Sequence, residues 1–431
     1  MPATDVSPES AATPQAAATI PARRLATLGH RDFRLLLIMQ LASSMRQPTL
    51  FITQAWYVNT VAPESERVVL LGLLAALRGL AFLGFVLFGG TFADRFPRVT
   101  VLNASHLIGL GSVLVVGGLL LMPAVENGDG PWLWIMLVLF ASFGLVTAQD
   151  QPTRTAMVRD AVPEHLLSKA ITQHQMMMSL GILAAFGAGA SIEWLGFGVT
   201  YLLGGLGHLV VLLALRGIST RTASDPDAKR ESVLSNLREG IRALRANPVV
   251  TWTVFTNWSV SALGMSVMGI LIAAWISDIL ELGAFGWGTM MVTWGVGGLL
   301  ASAWLSWRGD IRHMGAWFLG AGILMGVAVL GFGLSRTIAL AFFFNGLVGM
   351  SYQLILTWGV TIVQREVPNR LLGRVTGLLL LAGGLMQIAG LGAGILARIW
   401  GIEVIYPVAG LAIIAYITLV AWRQRPLRQL D

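Results

Sequence analysis

Residues 67–98 read RVVLLGLLAALRGLAFLGFVLFGGTFADRFPR, an apolar stretch that ends in a short charged cluster. The apolar part, 68–88, is long enough for a helix to cross the hydrocarbon core of a bilayer, which takes about 20 residues. Its one interior charge is Arg78. The cluster that follows carries charges of both signs and a proline, which mark a turn outside the lipid. The stretch therefore predicts a membrane-spanning helix followed by a tight loop.

The composition extends this prediction to the whole chain. Apolar residues make up 55% of the 431 residues, only 12% are charged, and the mean hydropathy is +0.72. A soluble fold of this size could not hide so many apolar side chains, because part of every fold stays at the surface. The 50 glycines would let helices approach closely within lipid. The absence of cysteine excludes disulfides, thiolate metal sites and cysteine nucleophiles.

Apolar segments of spanning length recur along the chain, separated by turn residues or charges. We predict twelve of them, at 33–60, 68–88, 99–122, 132–155, 169–193, 199–216, 249–278, 286–306, 315–334, 337–362, 375–398 and 403–422. The predicted fold class is an all-α membrane protein with twelve transmembrane helices in two six-helix bundles. The predicted domains are a disordered tail (1–31), a first bundle (32–216), a linker (217–248), a second bundle (249–423) and a short tail (424–431).

The two predicted bundles repeat each other. Residues 157–169, MVRDAVPEHLLSK, align with residues 362–374, IVQREVPNRLLGR, and both follow the fourth span of their half. More loosely, 94–98 align with 309–312, after the second span of each half. Six spans, a linker and six similar spans in the same orientation predict a parallel repeat about a pseudo-two-fold axis along the membrane normal. A cavity between the halves follows from that arrangement.

Positive charge indicates the orientation. Among the 29 Lys and Arg residues, only Arg67, Arg336 and Arg398 fall in the loops opposite to the N-terminus, which places both termini in the cytoplasm. This distribution also accounts for the net charge of +7, so no nucleic-acid partner is expected. The tail lacks the apolar core of a signal peptide. Within the linker, apolar residues recur at helical spacing, which predicts an amphipathic helix that either packs on the protein or serves a regulatory or lipid-sensing role.

The charged cluster at 90–98 now has a context, a cytoplasmic loop between the second and third spans. There it matches the G-x-x-x-D-R-x-x-R signature of the major facilitator superfamily, which the chain resembles over about 32–423. The resemblance implies alternating access and a cytoplasmic gate that forms in one conformation and breaks in another. The gate residues so implied are Gly90, Asp94, Arg95 and Arg98, with Asp310 and Arg312 in the second half. The alternative is that these charges only anchor the topology.

Two further stretches, 237–248 and the Val-Pro-x-x-Leu-Leu loops, resemble the subgroup of bacterial siderophore and macrolide exporters. Two features usual in proton antiporters of this superfamily are missing. The fourth span has no mid-membrane Arg, and the fifth has no Gly-Pro pair.

Polar groups at bilayer depth are candidates for the cavity wall. On the first span, five polar residues share one face, and Arg46 borders it: Gln40, Ser43, Ser44, Gln47 and Gln54. Pro48 would kink this helix. The stripe is either cavity wall or a helix–helix contact. Arg78 on the second span is either a substrate contact or the partner of a buried acid. In the second half the candidates are neutral: Asn257, Asn345, Tyr352 and Gln353.

Asp150 is the candidate for proton coupling, although Arg154 at i+4 could make it a structural ion pair. If Arg46 and Arg78 face the cavity unpaired, they favour an anionic substrate. If Asp150 neutralises one of them, a lipophilic cation or a macrolide becomes plausible. His106, His174 and His208 lack the spacing of metal ligands, so neither a metal nor a cofactor is expected.

The sequence therefore predicts a secondary active transporter of the bacterial inner membrane, working as a monomer by alternating access. We expect it to export an amphiphilic organic compound, siderophore-like or drug-like, with a proton gradient as driving force. No Walker A pattern supports direct use of ATP. The alternatives are an importer or a lysolipid flippase of the same fold, or a membrane receptor that has lost transport. An enzyme is not expected, because no paired acids, metal cluster or activated nucleophile occurs within the spans.

Overall fold

The computed structural model describes residues 26–93, 96–181, 183–219, 233–308 and 312–430. Within these ranges the chain is helical and contains no strand. The α-helices are α1 (Arg31–Val61), α2 (Arg67–Ala93), α3 (Arg98–Leu119), α4 (Pro123–Glu126), α5 (Trp132–Ala161), α6 (Leu167–Leu180), α7 (Leu183–Leu215), α8 (Val233–Ala246), α9 (Pro248–Val260), α10 (Ile272–Asp278), α11 (Ala284–Arg308), α12 (Met314–Leu334), α13 (Ile338–Glu366), α14 (Asn369–Leu380), α15 (Ala382–Trp400), α16 (Ile402–Arg423) and α17 (Arg425–Arg428). Two π-helical segments, Ser261–Met265 and Val267–Leu271, join α9 to α10.

Nine helices in the described ranges are long and apolar enough to cross a membrane. Large apolar side chains lie on their outer faces, as they do on surfaces that face lipid. Ile108, Leu300 and Phe343, for example, are each at least 60% exposed. The prediction of an all-helical membrane protein is confirmed. The count of twelve spans stays a prediction.

The aligned Val-Pro loops have the same local structure. Val162 and Val367 are both extended, because the proline that follows disfavours the helical conformation at the residue before it. Each proline then precedes a new helical segment, one at Glu164–Leu166 and the other at α14. The sequence repeat therefore produces the same break after the long helices α5 and α13.

The two halves of the chain contact each other through helix pairs α2–α15 and α7–α11. Gly72 lies directly against the backbone of α15, where a Cβ atom would sit 2.5 Å from the carbonyl oxygen of Gly390. Gly288 on α11 lies in the same way against the carbonyl of Ala185 on α7. Gly72 and Gly288 are separated by the same number of residues as the aligned Asp94 and Asp310. The contacts between the halves thus follow the repeat in the sequence.

Polar bonds also join the halves, at the end of α1 far from the N-terminus. Asn59 Nδ2 donates to Ser277 Oγ over 3.1 Å, and Arg67 pairs with Asp278 at 2.6 Å. Under the predicted orientation this is the outer side of the membrane, and it is closed.

The amphipathic helix of the linker is α8, and it packs on the second half of the chain. Leu237 and Leu244 belong to an apolar cluster with Val375 and Leu378 of α14. Glu239 on its polar side forms an ion pair with Arg374. The linker helix α8 therefore packs on the protein, which is one of the two possibilities that the sequence left open.

Candidate transport cavity

A cavity of about 600 Å³ lies between the two halves. This volume is within the range of pockets that hold drug-sized molecules, roughly 300–1,000 Å³. Helices α1, α2, α5 and α6 of the first half and α11 and α13 of the second half contribute its wall. The polar side chains of the wall are Ser44, Gln47, Arg78, Gln151, Gln175, Ser179, Ser302 and Gln353. The large apolar ones are Phe51, Met178, Met291, Trp294 and Leu299.

A second recess of about 240 Å³ adjoins the first and shares Gln47, Phe51, Arg78 and Gln151 with it. It extends between α2 and α15 to the π-helical segments, whose Met265 and Gly269 line it. A π-turn widens a helix locally and often marks a functional site.

Arg78 is the only cationic side chain on the described walls of these two recesses. Its Cζ atom lies 4.8 Å from the centre of the Phe51 ring, so the aromatic face supports the guanidinium through a cation–π contact. The residue is 7% exposed. A guanidinium on an aromatic shelf can bind a planar carboxylate or a pair of oxygens with fixed geometry.

Arg46 lies inside the first half and is not part of the cavity wall. Its Nη2 atom is 2.9 Å from Asp150 Oδ2, and both side chains are buried. Asp150 Oδ1 also accepts from Arg154 Nε at 2.8 Å and contacts His106 Nε2 at 3.1 Å. Asp150 therefore has a partner on its own helix and partners on two others. The carboxylate of Asp150 therefore neutralises the charge of Arg46.

The predicted cavity residues fall into two groups. Gln47, Arg78 and Gln353 lie together on the wall. The other predicted residues do not line the cavity, and several of them bond to protein. Gln40 donates to Ser44 at 2.9 Å within α1, Gln54 donates to Tyr201 at 2.8 Å, and Asn345 donates to the Met290 carbonyl at 2.6 Å. Asn257 is buried on α9, and Tyr352 is half-buried on α13. The polar face of α1 therefore has both of the predicted surroundings: Gln47 lines the cavity, and Gln54 forms a contact between helices.

Three of the predicted gate residues, Asp94, Arg95 and Asp310, lie outside the described residues. Gly90 lies in the last turn of α2. Arg98 starts α3 and pairs with Asp160 at the end of α5 over 2.6 Å. Both of these side chains are about one-third exposed or more, so the pair is screened by water. Arg312 is exposed.

One feature of the first half, a contact between two histidines, was not predicted from the sequence. His106 Nδ1 and His208 Nδ1 are 3.0 Å apart, and both rings are buried. Spacing along the chain could not reveal this contact, because the two residues lie on different helices. The available signal was the presence of two imidazoles within apolar spans, where a polar group needs a partner.

A helical fold with apolar outer faces and a cavity of mixed polarity at the junction of two repeated halves is typical of small-molecule transporters. The model of the Major Facilitator Superfamily matches residues 35–391. The chain belongs to this superfamily, as its signature at 90–98 predicted.

A curated relative is the multidrug efflux pump Tap of Mycolicibacterium fortuitum. It is 26% identical over 342 residues, which cover 75% of this chain and 82% of the relative.

Solved structures share the fold. A bacterial homologue of the human lysosomal transporter Spinster, inward-facing and unoccupied, has a TM-score of 0.65 at 15% identity, covering 94% of this chain and 96% of the other. The peptide transporter POT in complex with sulfate has a TM-score of 0.70 at 12% identity, covering 93% and 96%. The inward-open xylose transporter XylE from E. coli has a TM-score of 0.68 at 13% identity, covering 92% and 96%.

Proposed function

We propose that this protein exports an amphiphilic organic compound by alternating access, driven by the proton gradient across a bacterial inner membrane. The observation that carries the proposal is the cavity between the halves, where amide side chains and a guanidinium face Phe51, Met291 and Trp294. Such a wall suits a molecule with both polar and apolar faces. The relationship to a multidrug efflux pump supports export as the direction.

Twelve spans follow from the nine candidate helices if α1 and α5 are added and if Lys169–Leu215 is counted as two spans. The segment Lys169–Leu215 has 47 residues, which as one continuous helix would measure about 70 Å, more than twice the hydrocarbon thickness of a bilayer. Gly196 breaks it with a φ of 78°, which supports two spans. Helices α1 and α5 have 31 and 30 residues, and both carry buried polar side chains that lower their hydropathy. We infer two bundles of six helices with both termini in the cytoplasm.

The substrate class is suggested by the charge of the wall. In the part of the chain that the structure describes, the walls of the two recesses carry Arg78 and no carboxylate. The ion pair with Asp150 neutralises Arg46, as one of the two sequence alternatives required, but Arg78 still gives the wall a positive charge. An anionic amphiphile, or a neutral one rich in acceptor oxygens such as a macrolide, is therefore favoured over an organic cation.

Binding to purified protein tests this assignment. Arg78→Gln is expected to weaken binding of an anionic amphiphilic dye by about tenfold, and Arg78→Lys to restore it only in part, because an ammonium lacks the planar fork. Arg336→Gln is the matched control, since this arginine pairs with Glu403 far from the cavity. Equal affinity in the Gln variants at 78 and 336 would contradict the assignment.

Transport is tested with the protein in reconstituted vesicles. A panel of anionic, neutral and cationic amphiphiles is followed with the pH gradient set in either direction. Export predicts substrate movement against the proton flow. Movement with the proton flow indicates an importer, movement of lysolipid between leaflets indicates a flippase, and binding without movement indicates a receptor.

The loop at 94–98 is proposed as the cytoplasmic latch. Asp94→Asn is expected to abolish most transport while the protein still inserts, because the loop must exchange ion-pair partners between conformations. Full transport by this variant would reduce Asp94 to a marker of topology. The orientation itself is tested by Ser224→Cys, which is expected to resist impermeant thiol reagents added to intact cells.

A further inference from the structure

A buried polar network in the first half joins four helices. It consists of five side chains, each 3% exposed or less: Arg46 on α1, His106 on α3, Asp150 and Arg154 on α5, and His208 on α7. Asp150 accepts from both arginines and from His106, and His106 meets His208 through their Nδ1 atoms. The contact between the two histidines, here called the imidazole pair, is not needed to neutralise any charge in the network.

The acceptor chemistry of Asp150 indicates which ring nitrogens carry the hydrogens. Carboxylate oxygens only accept, so His106 Nε2 carries the hydrogen of its 3.1 Å bond to Asp150. When both imidazoles are neutral, His106 Nδ1 is therefore an acceptor. His208 Nδ1 must then donate over the 3.0 Å between them. His208 Nε2 is left with a lone pair.

We propose that the imidazole pair is the proton-binding site of this transporter. A proton adds to the lone pair of His208 Nε2, and the hydrogen on His208 Nδ1 moves to His106 Nδ1. His208 is then neutral again, with its hydrogen on Nε2, and His106 is an imidazolium beside Asp150. The bond between the two Nδ1 atoms persists with its direction reversed. The proposal rests on the proposed proton-driven transport and locates its proton.

Asp150 itself serves as a fixed negative charge in this scheme. Its two oxygens lie 2.9 and 2.8 Å from the guanidinium nitrogens of Arg46 and Arg154. Protonation of the carboxylate would leave two buried guanidiniums facing each other without a counter-charge, which is strongly unfavourable. The imidazole pair can take a proton without breaking either ion pair.

The other charged groups near the pair come from every helix that packs around it. Arg46 faces it from α1, and Asp150 and Arg154 face it from α5. Tyr201 on α7 lies near Arg46, and His174 on α6 lies near Arg154. With the pair neutral, two guanidiniums oppose one carboxylate. Proton uptake therefore adds a second net positive charge to this part of the bundle.

The network lies directly behind the cavity wall. Gln47 and Gln151, which follow Arg46 and Asp150 in the chain, both line the cavity. On the other side, the ring of His208 packs against Gly109 so closely that a Cβ atom at this position has no room. A change of charge or position in the network is therefore transmitted to α1 and α5 at the substrate site.

The first experiment is a ¹⁵N NMR titration of the purified full-length protein with labelled histidine, which is practical because the chain has six histidines. His106→Gln and His208→Gln assign the two signals, and His106→Asn or His208→Asn replaces the corresponding variant if it does not fold. We expect both rings to change together as one titration step, because the bond between their Nδ1 atoms couples the two rings. In His174→Gln, a buried histidine control, the step is retained. Two rings that stay neutral throughout, or that titrate independently, would overturn the proposal.

The second experiment separates this proposal from the proposed function. In vesicles that take up an anionic amphiphilic dye, His208→Gln is expected to lose gradient-driven uptake by about tenfold or more while retaining dye exchange, with His174→Gln as control. Equal loss of exchange, or unchanged gradient-driven uptake, contradicts the imidazole pair as the coupling site. If the wild type itself ignores the pH gradient, proton-driven transport fails, whereas the NMR titration still decides whether the pair binds a proton.

Discussion

Gly72→Ala tests whether the closed outer end is one state of an equilibrium. The added Cβ atom would lie 2.5 Å from the Gly390 carbonyl oxygen and 2.9 Å from Leu391 Cα. A carbon–oxygen contact is normally about 3.3 Å or longer, so α2 and α15 must part by roughly 0.8 Å. Overpacking of this kind costs about 1–3 kcal/mol. If only the closed state bears that cost, the open fraction rises by about 5- to 150-fold.

The measurement uses a cysteine at Asn59, which is buried at the outer end and can be introduced without background because the chain has no cysteine. The rate of labelling by an impermeant thiol reagent reports the open fraction. Gly392→Ala on the facing helix is the matched control, since nothing lies within 4 Å of its Cβ position. It carries the same gain in helix propensity as Gly72→Ala.

Equal labelling rates in the two alanine variants would show that the contact of Gly72 with α15 does not hold the outer end closed. A faster rate in both would assign the effect to helix propensity and not to the contact. Thermal unfolding of each variant establishes that the labelled protein is folded.

Three further predictions concern single interactions. Asp278→Asn removes the ion pair with Arg67. Because both side chains are partly exposed, we expect the labelling rate of the cysteine at Asn59 to rise by less than about fivefold, and a rise larger than that caused by Gly72→Ala would contradict this expectation. Arg46→Gln or Asp150→Asn alone is expected to cost about 3–5 kcal/mol of stability, and the double variant less than the sum, as measured by denaturant unfolding. Tyr57→Phe removes the 2.5 Å bond to the Val125 carbonyl and is expected to cost about 1–3 kcal/mol, visible as a lower unfolding temperature.

The candidate site could be predicted only in part. Gln47, Arg78 and Gln353 are candidates from the sequence because a polar side chain in an apolar span must face water or protein, and all three lie on the cavity wall. The sequence could not tell which of those two surroundings each polar residue would have. Gln54 and Asn345 satisfy the same pattern and instead join helices. The difference depends on a rotation of each helix about its axis, which is set by packing against neighbours.

The helical class, the membrane environment, the family and the repeat follow from the amino-acid sequence. These depend on local quantities: the transfer free energy of about 20 consecutive side chains, the conformational limits before a proline, and a loop signature. Which charges meet depends on the fold. Asp150 has Arg154 within one helical turn, but its bonds to Arg46 and His106 join helices remote in the chain. Burial is the physical reason, since each polar group must find a partner among whatever the folded neighbours present.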